Sequence, residues 1–218
     1  MPDAFRKSHD AAAQGPDWEQ PAKGYRFSRD SVLLAGFCPS DADGPVADLG
    51  AGCGVVGLEA LAKGRLKGAT ALFLVERDQA LVPYLERNAL LAARRLPGVP
   101  RIIPMLADWG KLSRKDFGGS LSHVCCNPPY VPQGKGRPAK GPSDAARREL
   151  HGGLSSLLTA AASLLAPGGT LSLSLPSARM AELAALALDG GWDMDLVSYP
   201  ERLGSPLALI RLGRHQGP

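Results

Sequence analysis

Short apolar runs alternate along this chain with stretches of helical spacing, and this order constrains the fold more than any other feature. Such alternation predicts βαβ units and therefore a mostly parallel sheet with helices on both faces. Residues 199–206 are too few to hold a helix between the final two strands, so one of these should run antiparallel. Strands are predicted at 45–49, 70–75, 101–107, 121–126, 170–175, 192–198 and 207–212, and helices at 32–37, 55–63, 79–95, 154–165 and 178–188.

Length and composition are those of one globular domain. The chain has 218 residues, of which 44% are hydrophobic and 21% are charged. Residues 1–24 sustain no apolar period, so we expect a flexible N-terminal segment ahead of a domain at 25–218. No apolar run approaches the roughly 18 residues of a membrane span. Residues 1–20 lack the apolar core of a secretory signal, which favours a cytoplasmic protein.

The cysteines give no sign of a metal site. Cys38, Cys53, Cys125 and Cys126 form no C-x-x-C pair, and two of them lie in the predicted strand 121–126. No Cys/His spacing resembles that of a zinc site, so we expect no metal. Reduced thiols in the core of a cytosolic protein are the simplest interpretation.

Acidic residues and glycines follow three predicted strands where those strands end. The first strand runs into Asp48-Leu49-Gly50-Ala51-Gly52-Cys53-Gly54, the second ends at Glu76, and the third ends at Asp108-Trp109. Open α/β sheets bind ligands at the carboxyl ends of their strands. Glycines let a ligand approach the backbone closely. Glu76 could accept hydrogen bonds from both hydroxyls of a ribose, and Asp108 from an adenine amino group with Trp109 packed against the ring.

The glycine segment is open to two interpretations. Residues 52–57 also match G-x-G-x-x-G, the dinucleotide-binding fingerprint. However, Asp48 before Gly50 gives an acidic-x-Gly-x-Gly-x-Gly frame. An anion there suits a ligand with a cationic amino-acid end, such as S-adenosylmethionine, better than one with a pyrophosphate.

A third feature is the tetrapeptide Asn127-Pro128-Pro129-Tyr130, which follows the fourth predicted strand. Two consecutive prolines cannot continue a β-ladder, so the strand must stop there. The Asn127 side chain and the proline carbonyls offer acceptors, and Tyr130 offers an aromatic face. A planar amino group could be held by these acceptors while it stacks on the ring. A plain strand-to-loop stop capped by Asn is the alternative.

The segment after this tetrapeptide is basic and rich in glycine and proline. Between residues 127 and 148 there is one anion, Asp144, and the excess of four positive charges equals the net charge of +4 of the whole chain. A long loop of this kind, at about 132–146, could hold a phosphate backbone or simply be solvated. The candidate substrate-binding cations are Lys135, Arg137, Lys140, Arg147 and Arg148.

These residues together resemble the class I S-adenosylmethionine-dependent methyltransferases that carry an Asn-Pro-Pro-Tyr motif. The resemblance covers residues 24–213 and implies a Rossmann-like seven-stranded α/β sheet, mostly parallel with one antiparallel strand. Residues 25–34 (YRFSRDSVLL) and 146–149 (ARRE) are similar to segments of the bacterial tRNA adenine-N6 methyltransferases that modify position 37 of a valine tRNA. An RNA substrate, with tRNA first, is therefore expected, for a monomer or weak dimer that has no membrane association.

The resemblance implies a role for each matching position. Asp48, Gly50 and Gly52 would line the methionine end of the cofactor, Glu76 would hold its ribose, and Asp108 and Trp109 its adenine. Asp30 would lie near the cofactor, although it could equally cap the first helix together with Ser31. Asn127 would contact both cofactor and target, and with Pro128, Pro129 and Tyr130 it would align and stack the target amino group.

Three other functions are open at the sequence level. Enzymes that methylate a glutamine amide in a release factor or ribosomal protein share the tetrapeptide, but they usually carry a helical substrate domain before the core. DNA adenine methyltransferases normally bring a separate recognition domain. A non-catalytic module that only binds S-adenosylmethionine would have no need of the intact Asn127 and Tyr130.

Overall fold

The computed structural model describes residues 17–22, 26–128, 153–200 and 206–214. Its centre is a seven-stranded sheet with the strand order β3-β2-β1-β4-β5-β7-β6. The strands are β1 (Asp41–Leu49), β2 (Lys67–Glu76), β3 (Arg101–Leu106), β4 (Leu121–Cys126), β5 (Leu165–Pro176), β6 (Trp192–Ser198) and β7 (Leu207–Arg214). The α-helices are α1 (Arg29–Phe37), α2 (Val55–Ala62), α3 (Val82–Arg95), α4 (Gly153–Leu164) and α5 (Met180–Asp189).

The sheet has one antiparallel strand, as the sequence predicts. Strands β1 to β5 pair in parallel, whereas β7 lies between β5 and β6 and runs antiparallel to both. The carboxyl ends of β1 to β5 therefore meet at one edge. This edge is where ligands bind in open α/β sheets.

Helices cover both faces of the sheet, and each face has its own apolar core. On one face, Leu157 and Leu164 of α4 and Leu183 of α5 pack with Leu171 and Leu173 of β5. The core of the other face contains three fully buried leucines from three helices, Leu34 of α1, Leu58 of α2 and Leu85 of α3. The near-continuous apolar character of the central strands follows from this burial on both faces.

Several element boundaries differ from the sequence-based expectation, including the starts of β1, β2, α3, α1 and β5. Helix α1 begins at Arg29 because Ser28, and not Asp30 or Ser31, is its N-cap, with the Ser28 Oγ accepting from the Asp30 N–H at 3.3 Å. Strand β5 begins at Leu165, immediately after α4, and so includes Pro167-Gly168-Gly169, whereas the strand was predicted only from residue 170. An irregular register between Leu121 and His123 of β4 accommodates these residues within the strand.

Residues 17–22 pack on the domain, in contrast to the flexibility expected for residues 1–24. Trp18 is buried, and its Nε1 donates to the buried Glu59 Oε2 of α2 at 2.9 Å. Glu19 is fixed to α3, since its backbone N–H and C=O both bond to the Asn88 side chain at 2.8 Å. A local sequence pattern cannot report these contacts because the partners are distant along the chain.

Replacing Trp18 with Phe should lower the free energy of unfolding by about 1–2 kcal/mol, since the buried Glu59 carboxylate loses a charge-assisted hydrogen bond. Chemical denaturation of wild type and variant measures the difference. Equal stability of Trp18→Phe and wild type would contradict the importance of this bond.

In the described part of the chain, no helix combines the length and the apolar character that a membrane span requires. Within the same residues, no group of three or more His, Cys, Asp or Glu side chains is arranged to hold a metal ion. All four cysteines are buried as free thiols.

Candidate active site at the carboxyl edge of the sheet

Four neighbouring strands bring the acidic, glycine and asparagine positions to the same edge. Gly50 follows β1, Glu76 ends β2, Asp108 lies just beyond β3, and Asn127 follows β4. The register supports this grouping, because Asp48 of β1 pairs with Leu74 on one side and with Cys125 on the other. The structure therefore gathers the residues that the sequence singled out after successive strands.

The glycine loop turns sharply over the end of β1. Gly50, Gly52 and Gly54 have φ values of +75°, +59° and +84°, a region that favours glycine. The backbone N–H groups of Gly50 and Ala51 both donate to the Val75 carbonyl at 2.9 Å. The loop is thus tied to β2, and its residues 51–54 are buried.

Glu76 organises this loop as well as facing the site. Its Oε2 accepts from the Gly52 N–H at 2.8 Å, and its Oε1 accepts from the N–H groups of Arg77 and Asp78 at 2.8 and 2.7 Å. A carboxylate offers about four lone-pair positions. These three bonds leave room for about one more, whereas the sequence argument expected Glu76 to accept from two ribose hydroxyls.

Asp48 lies beneath the loop and is fully buried. Its Oδ2 accepts from the Gly57 N–H in the first turn of α2 at 2.9 Å. Its Oδ1 has no nitrogen or oxygen donor among the described residues, although the Cys125 thiol interacts with the carboxylate as a weak donor. Burial, reinforced by the negative charge of Glu76, raises the Asp48 pKa from 3.8 to about 7. A ligand with a cationic amino group fits such a site, because the cation would stabilise the ionised carboxylate.

The raised pKa of Asp48 should make stability fall with pH. Because the folded state holds the Asp48 proton up to about pH 7 and the unfolded state releases it near 3.8, the contribution is complete below about pH 4 and is lost as pH rises through 7. The expected loss is of the order of a few kcal/mol, and Asp48→Asn should lack it.

Urea unfolding of wild type and Asp48→Asn between pH 4 and pH 8 measures this contribution. The comparison is needed because His123, whose pKa burial lowers to about 3, has the opposite slope between pH 3 and about 6.5 in both proteins. Parallel stability profiles for the two chains would show that Asp48 has an ordinary pKa.

Asp108 and Trp109 lie next to the glycine loop. Asp108 caps a short 3-10 helix, Trp109–Lys111, by accepting from the Gly110 N–H at 3.1 Å. The half-buried indole of Trp109 lies against Gly50, where an added Cβ would stand 2.8 Å from the ring atom Cζ3. Trp109 therefore borders the loop, and glycine at position 50 is required both by its φ and by this contact.

Gly50→Ala should destabilise the protein by more than the strain of its positive φ alone, which is about 1–3 kcal/mol. Gly98→Ala is a matched control, because Gly98 also has a positive φ, +66°, yet has nothing within 4 Å of an added Cβ. Thermal denaturation of both variants isolates the clash, and tryptophan fluorescence reports displacement of Trp109. An equal loss of stability in both variants would show that the ring does not constrain Gly50.

Asn127 is held at both ends of its side-chain amide. Its Nδ2 donates to the Ser31 Oγ of α1 at 2.9 Å, and its Oδ1 accepts from the Ser174 Oγ of β5 at 2.6 Å. Pro128, which follows, is buried, and Asp30 is buried in the first turn of α1 beside Ser31. The site thus joins three elements that are far apart in sequence.

Sequence reasoning missed Ser31, Ser174 and Asn88 as site-supporting residues. Asn88 of α3 is fully buried, and its Nδ2 donates to the Cys53 carbonyl of the glycine loop at 2.8 Å. Polar residues at apolar positions could have indicated two of them. Ser174 interrupts a leucine-rich strand, and Asn88 lies on the buried face of α3.

Seven of the sequence-based candidates lie outside the described residues, and their predicted roles stay predictions. They are Pro129, Tyr130, Lys135, Arg137, Lys140, Arg147 and Arg148.

Two curated proteins with similar sequences carry the same name, tRNA1(Val) (adenine(37)-N6)-methyltransferase. The protein of Shewanella sediminis is 28% identical over 179 residues, and that of Shewanella loihica is 30% identical over 194 residues. The alignments cover 80% and 82% of this chain, and 69% and 73% of those proteins. No model of a known protein family matches the chain.

Solved structures with the same architecture are also methyltransferases. TrmN from Thermus thermophilus superposes with a TM-score of 0.57 at 21% identity, over 85% of this chain and 48% of that one. Magnesium protoporphyrin IX methyltransferase from Synechocystis PCC 6803, solved with bound S-adenosylmethionine, gives 0.52 at 17% identity, over 84% and 74%. These likenesses confirm the Rossmann-like methyltransferase fold. With the 30% identity and broad coverage of the Shewanella loihica protein, they show that this chain belongs to the S-adenosylmethionine-dependent tRNA1(Val) (adenine(37)-N6)-methyltransferase family.

Proposed function

We propose that this enzyme methylates the N6 amino group of an adenine in RNA, and that a valine tRNA is the first substrate to test. The observation that carries the proposal is the placement of Asn127, whose amide oxygen is held at the end of β4 beside the glycine loop of β1. The names of the two Shewanella relatives supply the substrate class. The basic residues between 135 and 148 support it through charge, since they would suit a phosphate backbone.

The chemistry of the site residues fits S-adenosylmethionine. When bound, S-adenosylmethionine supplies a methyl group that its sulfonium sulfur has already activated. The glycine loop would take its amino-acid end, with the buried Asp48 carboxylate beneath to favour a cation. Glu76 would accept from a ribose hydroxyl, and Asp108 and Trp109 would border the adenine.

The chemical task left to the protein is to prepare the nucleophile. An exocyclic amine is a poor nucleophile because its lone pair is delocalised into the ring. When the Asn127 oxygen accepts an amino N–H, electron density on that nitrogen rises and the group is held in one orientation. A nitrogen–carbon bond then forms as the sulfur–carbon bond breaks, and the methylated nitrogen loses one proton to solvent.

An adenine must leave its stack to reach this edge of the sheet. Extrusion costs a few kcal/mol, and least for a base that is already unpaired. Proteins read RNA mainly at single-stranded loops, where splayed bases stack on aromatic side chains. Tyr130 would provide that ring, which makes an unpaired adenine of a tRNA loop a suitable target.

Incubation with methyl-labelled S-adenosylmethionine and two pools, unmodified RNA and soluble protein, tests the proposal. Label recovered from the RNA as N6-methyladenosine is the expected result. Label in the protein pool alone would overturn it and indicate a glutamine amide as the target.

A further inference from the structure

The amide of Asn127 is clamped between two buried hydroxyls. Ser31 and Ser174 are 1% and 0% exposed, and they contact opposite ends of the amide at 2.9 and 2.6 Å. The register of β4 and β5 sets Cys126 opposite Leu173, so the next positions, Asn127 and Ser174, face each other across the two strands. Helix α1 supplies Ser31 from its first turn.

An asparagine can serve an amino group only in one of its two orientations. The oxygen end accepts N–H hydrogens, whereas the NH2 end donates and would oppose them. A rotation of 180° about the last side-chain bond exchanges the two ends at almost no steric cost. A site that uses asparagine as an acceptor therefore needs neighbours that favour one orientation.

We propose that Ser174 and Ser31 are positioning residues that keep the Asn127 oxygen, and not its NH2 group, directed at the target amine. Ser174 donates to the oxygen and Ser31 accepts from the nitrogen, so the amide is bonded at both ends in this orientation, and a flipped amide would need both hydroxyl protons to reorient. Neither serine touches the reacting atoms in this account. The proposal rests on the role given to Asn127 in the proposed function.

Ser172 provides a matched control from the same strand. It lies two residues before Ser174 on the same face of β5 and is equally buried, but its Oγ has no hydrogen-bond partner in the described part of the chain. Ser172→Ala removes the same atoms from a similar environment without touching Asn127. The difference between the effects of Ser174→Ala and Ser172→Ala therefore includes the loss of the bond to Asn127.

The first test reads the amide without any substrate. The sequence contains two asparagines, Asn88 and Asn127, so protein labelled with 15N-asparagine shows two side-chain NH2 groups in a proton–nitrogen spectrum. Ser174→Ala and Ser31→Ala should each shift the Asn127 pair and leave the Asn88 pair in place, while Ser172→Ala leaves both in place. An unmoved Asn127 pair in Ser174→Ala would overturn the clamp, whatever the enzyme's substrate proves to be.

The second test uses turnover and an internal comparison. Ser174→Ala should lower kcat by about 10-fold or more while the Kd for S-adenosylmethionine stays near wild type, and Ser174→Thr should restore most of it. In a chain that carries Asn127→Asp, a carboxylate has two equivalent oxygens and no wrong orientation. In the Asn127→Asp chain, Ser174→Ala should change ln kcat by less than half as much as it does in the wild-type chain.

The pattern across these variants decides between orientation and packing. Equal losses from Ser174→Ala in the Asn127 and Asn127→Asp backgrounds would show that the serine only packs, and would overturn the proposal. A wild-type enzyme that labels protein in place of RNA would refute the proposed substrate. The 15N-asparagine spectrum would still test the two hydrogen bonds to Asn127. The chain with both Asn127→Asp and Ser174→Ala would still be informative if the methylated protein replaced RNA as the substrate.

Discussion

Replacing Asn127 with Ala should lower kcat for methyl transfer by about 100-fold or more while S-adenosylmethionine still binds. The reason is that, in the proposed mechanism, the amide oxygen at the end of β4 would accept from the target amine, whereas the loops after β1, β2 and β3 would hold most of the cofactor. Single-turnover transfer of labelled methyl groups measures the first quantity, and isothermal titration calorimetry measures the second.

Ser122→Ala is the control for this experiment. Ser122 lies at the opposite end of the same strand, where its Oγ donates to the Pro45 carbonyl at 3.2 Å. This variant should retain wild-type turnover. Turnover by Asn127→Ala close to that of the control would mean that the amide does not hold the target, and the mechanism proposed above would fall.

Glu76→Ala should weaken S-adenosylmethionine binding by about 100-fold or more. The substitution removes the partner of three backbone N–H groups, including that of Gly52 in the glycine loop. It also removes the carboxylate that we propose as the acceptor for a ribose hydroxyl. Hydrogen bonds to a charged group contribute about 1.5–3 kcal/mol each, and tenfold in affinity is about 1.4 kcal/mol. Calorimetric titration of the folded variant gives the Kd.

The neighbouring Asp78 offers a matched control. Its exposed carboxylate accepts from the Ala80 N–H at 2.9 Å and takes no part in holding the glycine loop. Asp78→Asn should therefore bind the cofactor as wild type does. If Glu76→Ala is folded by circular dichroism and keeps wild-type affinity, Glu76 does not form the cofactor site.

The glycine loop is restrained from three directions before any ligand arrives. Asp48 holds the Gly57 N–H just beyond it, Glu76 holds the Gly52 N–H, and Asn88 holds the Cys53 carbonyl. Asn88 also fixes the segment 17–22 through Glu19. A loop ordered in advance loses less conformational entropy when a ligand binds, so these buried polar side chains contribute to affinity through the loop, in addition to any bond that they form with the ligand.

The sequence was sufficient for the features that local rules control. Apolar periodicity located each strand, and the parallel order then brought Gly50, Glu76, Asp108 and Asn127 to one edge. The short connection between the last two strands predicted that one of them runs antiparallel, and the structure shows that this strand is β7. Element ends were less predictable, because several serines and acids near residue 30 could each cap α1 and only the packing selects Ser28.

The supporting contacts could not be predicted in the same way. Ser31 and Ser174 are 96 and 47 residues from Asn127 in sequence, and Trp18 is 41 residues from Glu59. Nothing in the local pattern distinguishes Ser174, which is bonded to Asn127, from Ser172, which lacks a partner among the described residues. Such pairs depend on strand register and helix placement, which exist only once the chain has folded.

The most direct test of the central claim uses two transcripts of a valine tRNA, one with adenine at position 37, the position in the names of the two relatives, and one with guanine there. Each is incubated with the enzyme and S-adenosylmethionine, and its nucleosides are then analysed by mass spectrometry. We predict N6-methyladenosine in the first transcript and none in the second, with Asn127→Ala inactive on both. N6-methyladenosine at equal levels in both transcripts would place the target at another adenine, and its absence from both would contradict the account.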